Sequence, residues 1–501
     1  MYYINPAPNG SISSSDMLMP NLGDARFTNS ELTAFSVGKE WLVVSKRTGV
    51  WCYLNSSEWK IVQLFNGLSI PEVAALSNSS TSDLEPFAMN LINRGILEST
   101  CINPKRVPLS ENIKKIPSRY ILTLLLSNTC NLACQYCYHA FPAYKEKGHI
   151  SRELANAAFR YAFTTSSDEL MIDFGEIAVS GKIFRQLLND AQRLEEYYKK
   201  HVIYSIQTNG STLTSRMATF LKKNKIFVGL SLDGPEAIHN EMRKYPNGSE
   251  SFHQALVGLN HLIMMEIPFI VSSTIHKKNV RNAKEIIDYF ITQNISHFVF
   301  KPIIKRGSAI DTWETQGLST ADYNYFLEDV VNLAIDNNDL DWLDNSLITF
   351  LQRALGDTRG WSSLCYSGYC QGENTQVVLN RDGFCYPCPR YSSIGKGEYC
   401  IGKMEITQTI SGIQTNKEDK LTEFNDFQLS KCKQCTWWVF CKGGCPIGAS
   451  SIEQMIELCS YNLKMYDLVF KTLVPQIRLG KFKHSNKLGE LEIIQHDFMK
   501  P

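Results

Sequence analysis

Residues 130–137, Cys130-Asn131-Leu132-Ala133-Cys134-Gln135-Tyr136-Cys137, place three cysteines at C-x3-C-x2-C spacing. They follow directly on Tyr120–Ser127, YILTLLLS, an apolar run with the length and residue bias of a buried strand. Three thiolates on one short loop at a strand end suit three irons of a four-iron cluster. Such clusters normally take four thiolates, so the fourth iron stays open as a place to bind and reduce a small molecule. The plainer alternatives are a zinc knuckle short of one ligand, or three buried thiols.

Downstream, residues 118–320 alternate strand-like apolar runs with amphipathic helical stretches. The strands are expected at Ile121–Leu126, Leu170–Phe174, Val202–Gln207, Phe227–Leu232, Phe269–Ile275 and Phe298–Ile303. The helices between them are expected at Arg152–Thr164, Lys182–Tyr198, Ser215–Asn224, Phe252–Met265 and Ala283–Gln293. This alternation means βα units and a parallel sheet, whose ligands sit at the carboxyl ends of the strands.

The cysteine spacing, with Tyr136 just before the third cysteine, resembles the signature of the radical S-adenosylmethionine (SAM) superfamily. The resemblance implies an α/β fold with a partial (βα)6 barrel and a [4Fe-4S] cluster on Cys130, Cys134 and Cys137. It also implies SAM chelated at the open iron, with Tyr136 beside the adenine. There SAM is cleaved to methionine and a 5′-deoxyadenosyl radical by an electron from a donor such as flavodoxin or ferredoxin. Asp173-Phe174-Gly175-Glu176 stands where the family has Gly-Gly-Glu, so Gly175 and Glu176 match and Glu176 is expected on the SAM amino group. Phe174 departs from the pattern and is expected to reduce the close backbone approach that glycine allows. Ser205-Ile206-Gln207-Thr208-Asn209-Gly210 resembles the family's turn after the third strand, its polar side chains lining the ribose and substrate end. By the same resemblance Ser231, Asp233 and Arg243 face SAM or the substrate, Arg243 suiting a bidentate carboxylate contact.

Before the barrel, residues 1–30 read as a loose polar tail and 31–103 as a small module. Glu40–Ser45 and Gly49–Leu54 are expected as strands, with Asn55 capping a first helix, Pro71 opening a second and Leu84–Arg94 forming a third. ILES, ending at Ser99, is expected as a last strand. The order is of winged-helix type and resembles the recognition element of enzymes that modify ribosomally made peptides. The resemblance implies that a precursor's leader adds a strand to the sheet edge, and Trp51, Tyr53 and the Leu84–Arg94 face are the expected contacts. A winged helix with a structural or nucleic-acid role is the alternative; the absence of a Lys/Arg stripe counts against DNA. Residues 104–117 read as a linker.

Residues 321–480 carry more cysteines than one cluster needs. Cys365-x4-Cys370 precedes Gly383-x4-Cys388, then Cys432-x2-Cys435-x5-Cys441-x3-Cys445, then Cys459. This run resembles the SPASM extension of peptide- and protein-modifying radical SAM enzymes, an Fe–S domain with two auxiliary four-iron clusters. The resemblance implies Cys365, Cys370, Cys388 and Cys445 on one, and Cys432, Cys435, Cys441 and Cys459 on the other, three [4Fe-4S] clusters in all. A zinc ribbon is the alternative for the four-cysteine run. Cys52, Cys101, Cys385 and Cys400 are left over as small buried hydrophobes, with Cys385 close enough in sequence to Cys388 to compete with it. Residues 481–501 read as a charged tail, with a strand-like ELEIIQ at 490–495.

Of the 501 residues, 44% are hydrophobic and 20% charged, the balance of an ordinary globular protein. A net charge of +1 gives no electrostatic case for nucleic acid or an anionic membrane. No run is long and apolar enough to span a bilayer, and the start lacks a secretory signal. Fifteen cysteines, eleven of them clustered at metal-ligand spacings rather than spread as a disulfide framework, point to a reducing cytoplasm. The expected function is hydrogen abstraction from a ribosomal precursor peptide to install a thioether, carbon–carbon or carbon–oxygen cross-link. The alternative in the same class is anaerobic sulfatase maturation, oxidation of Cys or Ser to formylglycine. That group has an Asp after the cysteine at the Cys388 position and no such N-terminal module, whereas this chain has Pro389. A non-catalytic iron–sulfur scaffold that binds a peptide is the alternative of another class.

Overall fold

The computed structural model describes residues 25–29, 31–93, 95–99, 119–139, 148–167, 169–176, 181–355, 376–392, 399–406, 430–441, 443, 452–482, 485 and 487–488. The N-terminal part opens with β1 (Phe27–Thr28). An antiparallel sheet of β2 (Leu32–Val37), β3 (Glu40–Ser45) and β4 (Trp51–Asn55) follows, in that spatial order. β2 was not expected, although LTAFSV is rich in apolar residues and ends in a two-residue turn at Gly38, whose φ of 60° suits glycine. Three helices follow, Ser56–Leu64, Ile70–Ser77 and Thr81–Asn93. Asn55 caps the first by accepting from Ser57 N and Glu58 N, while the Glu58 side chain returns the contact to Asn55 N. The expected last strand shrinks to β5 (Glu98–Ser99), which pairs with β1 rather than joining the sheet.

Alternation along these strands divides their side chains between two cores. Val43, Cys52 and Leu54 pack on the three helices through Val62, Phe65 and Leu84. Leu42, Val44, Trp51 and Tyr53 turn the other way and join the main core. Trp51 Nε1 donates to Ala354 O at 2.8 Å, and the Tyr53 hydroxyl donates to Phe470 O. Arg478 lies 4.4 Å from the Tyr53 ring centre and pairs with Glu40 at 2.9 Å. Trp51 and Tyr53, expected to meet a leader peptide, are therefore wholly buried against the C-terminal region.

Among the described residues the main sheet has nine strands. Six parallel ones stand side by side in chain order: β6 (Arg119–Leu124), β7 (Glu169–Glu176), β8 (Val202–Thr208), β9 (Phe227–Ser231), β10 (Phe269–Ile275) and β11 (Phe298–Pro302). Helices Arg152–Phe163, Gly181–Tyr198, Ser215–Lys223, Phe252–Met264 and Ala283–Thr292 fall between them, within two residues of the expected bounds. Beyond β6 the sheet continues into β12 (Gln376–Leu379), parallel to β6, and then β13 (Phe384–Tyr386) and β14 (Gly402–Lys403), both antiparallel. The cysteine-rich region is thus hydrogen-bonded to the parallel sheet, which sequence spacing does not reveal.

The parallel strands alternate as well. Ile172 and Phe174 of β7, Tyr204 and Ile206 of β8 and Val228 and Leu230 of β9 point into the buried helix layer. The opposite face carries Thr123, Asp173, Ser205, Gln207, Ser231, Ser272 and Lys301, a polar row at the carboxyl half of the sheet. Gly229 belongs to that face, and a Cβ there would lie 2.3 Å from Gln207 Oε1, so its glycine makes room for the carboxamide. Helices Thr320–Asp336 and Asn345–Ala354 cover the sheet beyond β11, and Ile452–Asp467 runs through a π-helical turn, Leu468–Leu473, into Val474–Arg478. In the expected tail, Phe482 and Leu488 are buried and Lys487 Nζ donates to Asp341 O at 2.7 Å and to Leu343 O. The linker and ELEIIQ lie outside the described residues. No helix among the described residues is long and apolar enough to cross a membrane.

Candidate active site

The three-cysteine loop follows β6 and is pinned from several sides. Ala133 N donates to Lys244 O at 2.8 Å, Gln135 N to Met242 O at 3.1 Å, and Ser308 N to Cys137 O at 2.8 Å. Asn131 Nδ2 donates to Ser211 Oγ at 2.8 Å. The loop is thereby tied to segments that follow β8, β9 and β11. Cys130 lies within electrostatic reach of both Cys134 and Cys137. Burial pushes the Cys134 thiol up to about 12 and raises Cys130 as well, so thiolates persist here only against a bound cation. Leu132 N and Asn209 Nδ2 donate to Cys130 Sγ at 3.5 and 3.6 Å, contacts that favour a ligating sulfur. Among the described residues no three His, Cys, Asp or Glu side chains stand close enough to hold a single metal ion. Three thiols on one short buried loop are the donor set that a four-iron cluster takes, one thiolate to each of three irons.

Tyr136, Asp233 and Arg243 form a buried knot below the loop. The Tyr136 hydroxyl donates to Asp233 Oδ2, and Arg243 meets both Asp233 oxygens at 3.0 and 3.2 Å. Thr274 N also donates to Asp233 Oδ1, at 3.0 Å. The Arg243 guanidinium sits 5.2 Å from the Tyr136 ring centre. Although burial opposes it, the neighbouring guanidinium holds the Asp233 carboxyl below the usual range. The bidentate carboxylate contact expected of Arg243 therefore exists, but its carboxylate is Asp233 of this chain.

At the end of β7 a register shift between Asp173 and Glu176 reorients the strand. Gly175 takes a φ of +55°, and a Cβ there would meet Leu124 O at 3.0 Å. Phe174 does not obstruct the site. Its ring points outward, in edge contact with Phe184 at 5.0 Å and Phe159 at 6.3 Å. Glu176 is left within electrostatic reach of Cys130 and Cys134, a position that fits a carboxylate meeting an amine bound beside a cluster.

The strand ends bring the other expected residues together. Ser205 Oγ donates to Asp173 Oδ1 at 2.9 Å, and Gln207 Nε2 donates to Ser231 Oγ at 3.2 Å. Asn209 bridges Asn131 and Cys130. Thr208 instead accepts from Gly210 N at 3.2 Å and is buried, so its hydroxyl serves the turn. Asp173 and Lys301 were not assigned a role from sequence. Lys301 Nζ donates to Ser272 Oγ at 3.1 Å. The signal for Lys301 was its parity, a lysine on the inner face of the otherwise apolar FVFKP.

In the C-terminal region, Cys432, Cys435, Cys441 and Cys459 share one electrostatic neighbourhood. Burial pushes Cys432 up to about 11 and Cys441 up to about 12. The residues are suited to a second cluster. Cys388 is described beside Tyr391, Tyr399 and Ile304, while Cys365, Cys370 and Cys445 lie outside the described residues. Cys385 is fully buried in the main core and its Sγ donates to Gly383 O at 3.8 Å.

No protein-family model matches this chain. It is 28% identical over 335 residues to a cysteine-type anaerobic sulfatase-maturating enzyme of Clostridium novyi, covering 64% of this chain and 85% of that protein. It is 23% identical over 408 residues to a serine-type anaerobic sulfatase-maturating enzyme of Bacteroides thetaiotaomicron, covering 75% and 94% respectively. Among solved structures, native anSMEcpe with bound AdoMet matches with a TM-score of 0.59 at 23% identity. The match covers 71% of this chain and 98% of that one, and is a likeness of fold.

Proposed function

We propose that this chain is a radical SAM maturase that oxidises a Cys or Ser side chain in a peptide or protein substrate. The observation that carries the reading is the loop of Cys130, Cys134 and Cys137, pinned at the carboxyl end of six parallel strands with Glu176 beside it. Cys130, Cys134 and Cys137 would hold a four-iron cluster, and Glu176 would hold the SAM amino group. With both bound, the site supplies a 5′-deoxyadenosyl radical. The protein's part is to orient the substrate carbon, exclude water and oxygen, and accept a proton. Cys432, Cys435, Cys441 and Cys459 would hold a cluster able to take up the remaining electron. The names of the curated relatives support formylglycine formation over cross-linking, and Pro389 is this chain's departure from that group.

Cross-linking of a ribosomal peptide is kept as a second reading because of one feature, the N-terminal sheet with its three helices. Since the Trp51 and Tyr53 face is occupied, a peptide strand would add at an edge of that sheet, along β2 or β4, rather than lie on that face. The deciding test is SAM cleavage by anaerobically reconstituted, reduced protein, read as 5′-deoxyadenosine, with Cys134→Ala as control. Product from the wild type alone supports the radical reading; product from neither, at full iron loading, overturns it in favour of a scaffold. Mass spectrometry of a converted peptide then separates the two chemistries. Formylglycine from cysteine loses two hydrogens and exchanges sulfur for oxygen, whereas a cross-link loses the two hydrogens and keeps the sulfur.

A further inference from the structure

The inner face of the parallel sheet holds one charge of each sign that binding of a cluster and SAM does not use. Asp173 on β7 accepts from Ser205 Oγ on β8 at 2.9 Å, from the Thr123 side chain on β6 and from Gly175 N. Lys301 on β11 is held by Ser272 of β10. Asp173 and Lys301 both sit on the inner face of the sheet, with three strands between β7 and β11. They lie within electrostatic reach, yet no ion pair joins them among the described residues. Tyr138, next to Cys137, reaches Asp173 electrostatically, as Cys388 and Arg390 reach Lys301. The pair thus stands between the three-cysteine loop and Cys388. Both residues keep some exposed surface, unlike the neighbouring outward-facing side chains. Of the other carboxylates at the strand ends, Asp233 is engaged by Arg243 and Tyr136, and Glu176 lies against the cysteine loop.

We propose that Asp173 is the proton acceptor of the reaction and Lys301 its counter-charge, the two receiving the thiol or hydroxyl of the peptide residue that is oxidised. This rests on the radical SAM reading above. After a hydrogen atom leaves the substrate Cβ for the 5′-deoxyadenosyl radical, the S–H or O–H bond breaks and its proton passes to an Asp173 oxygen. An auxiliary iron–sulfur cluster, held by the C-terminal cysteines, would accept the electron left on the substrate as the carbon–heteroatom double bond forms; from cysteine the resulting thioaldehyde is then hydrolysed by water to formylglycine with release of hydrogen sulfide. Lys301 offsets the negative charge that develops on sulfur or oxygen before that electron leaves. Burial raises Asp173 to about 6 and lowers Lys301 to about 8, so both charges are present at neutral pH. A base with its pKa just under the working pH combines availability with proton affinity.

The test uses reduced, cluster-loaded protein, SAM and a synthetic peptide spanning the target cysteine of a sulfatase. Wild type is expected to form 5′-deoxyadenosine and formylglycine together. Asp173→Asn is expected to keep 5′-deoxyadenosine within about twofold while oxidised peptide falls about a hundredfold. A carbon-centred radical then accumulates by electron paramagnetic resonance, and Asp173→Glu restores product. The wild-type yield of oxidised peptide per 5′-deoxyadenosine should drop below about pH 6. Lys301→Met, an independent arm, is expected to weaken binding of the fluorescently labelled peptide about tenfold without turnover. Equal product-to-5′-deoxyadenosine ratios in wild type and Asp173→Asn overturn the assignment alone. If wild type makes 5′-deoxyadenosine but leaves the peptide unoxidised, the formylglycine reading falls and this proposal with it. If wild type makes none, the radical reading itself is wrong.

Discussion

Removing the Arg243 guanidinium would leave the Asp233 carboxylate with no exposed surface and no counter-charge. Breaking one side of such a pair costs about 3–5 kcal/mol, mostly from the stranded charge. Arg243→Met is therefore expected to lower unfolding free energy by roughly that amount, measured by denaturant titration; a loss under about 1 kcal/mol would mean that the pair is poorly desolvated. The sign with pH follows. Asp233 has its folded pKa held down by Arg243, so its stabilisation is present above the unfolded carboxylate value and is lost as pH falls through the folded one. In Arg243→Met that loss should begin at higher pH, which an acid-unfolding midpoint would detect. Sequence reasoning found all three members of this knot but not their partners. C-x3-C-x2-C and S-L-D-G-P fix residue types on neighbouring loops, whereas which carboxylate fills the arginine fork depends on how β9 and the cysteine loop pack. Phe174 teaches the same point. Its identity is a departure from pattern, but strand parity, which sends it into the helix layer, decides its consequence.

At the level of strands and helices, the six parallel strands were readable because each is an apolar run bounded by an amphipathic helix. β2 was missed because it is half-buried, follows a polar tail and breaks its alternation at Ala34-Phe35, so no clear strand period stands out. The pairing of β12 with β6 had no signal at all, since register between segments more than 250 residues apart is a tertiary property. The N-terminal sheet shows how parity creates a second interface. Trp51 fills a site bounded by Ala354 and by Phe470, whose ring is 5.4 Å away. Trp51→Ala should cost about 3–5 kcal/mol, seen as a lower thermal midpoint of the whole chain. If only a separate early transition shifts, the sheet is an appended unit rather than part of the common core.

For the molecule as a whole, the cysteines divide by surroundings rather than by spacing alone. Cys52, Cys385 and Cys400 are buried side chains in packed cores, while Cys432, Cys435, Cys441 and Cys459 gather with partial exposure. Cys432→Ala is expected to lose about four irons per chain and still cleave SAM, because the three-cysteine loop stands apart from it. Unchanged iron, or zinc in its place, would return the four-cysteine run to a structural site.

The largest structural commitment of the chain is the sandwiching of the N-terminal sheet between its own helices and the C-terminal region. Leu42, Val44, Trp51 and Tyr53 bury one face against Phe470 and its neighbours, Phe35 stacks on Trp437 at 5.5 Å, and Arg478 reaches back to Glu40. A detachable recognition module would leave a soluble remainder when removed, and only affinity for peptide would fall. A sheet that completes the core leaves an apolar scar on the C-terminal helices, where the lost burial is about 25 cal/mol for each Å² uncovered. Deletion of residues 1–103 is therefore expected to give a protein that aggregates or melts far below the full chain, checked by size-exclusion chromatography and thermal unfolding. A monomeric, equally stable remainder that still cleaves SAM would show that the docking is dispensable. The N-terminal sheet would then owe its place to the substrate it meets rather than to the fold it completes.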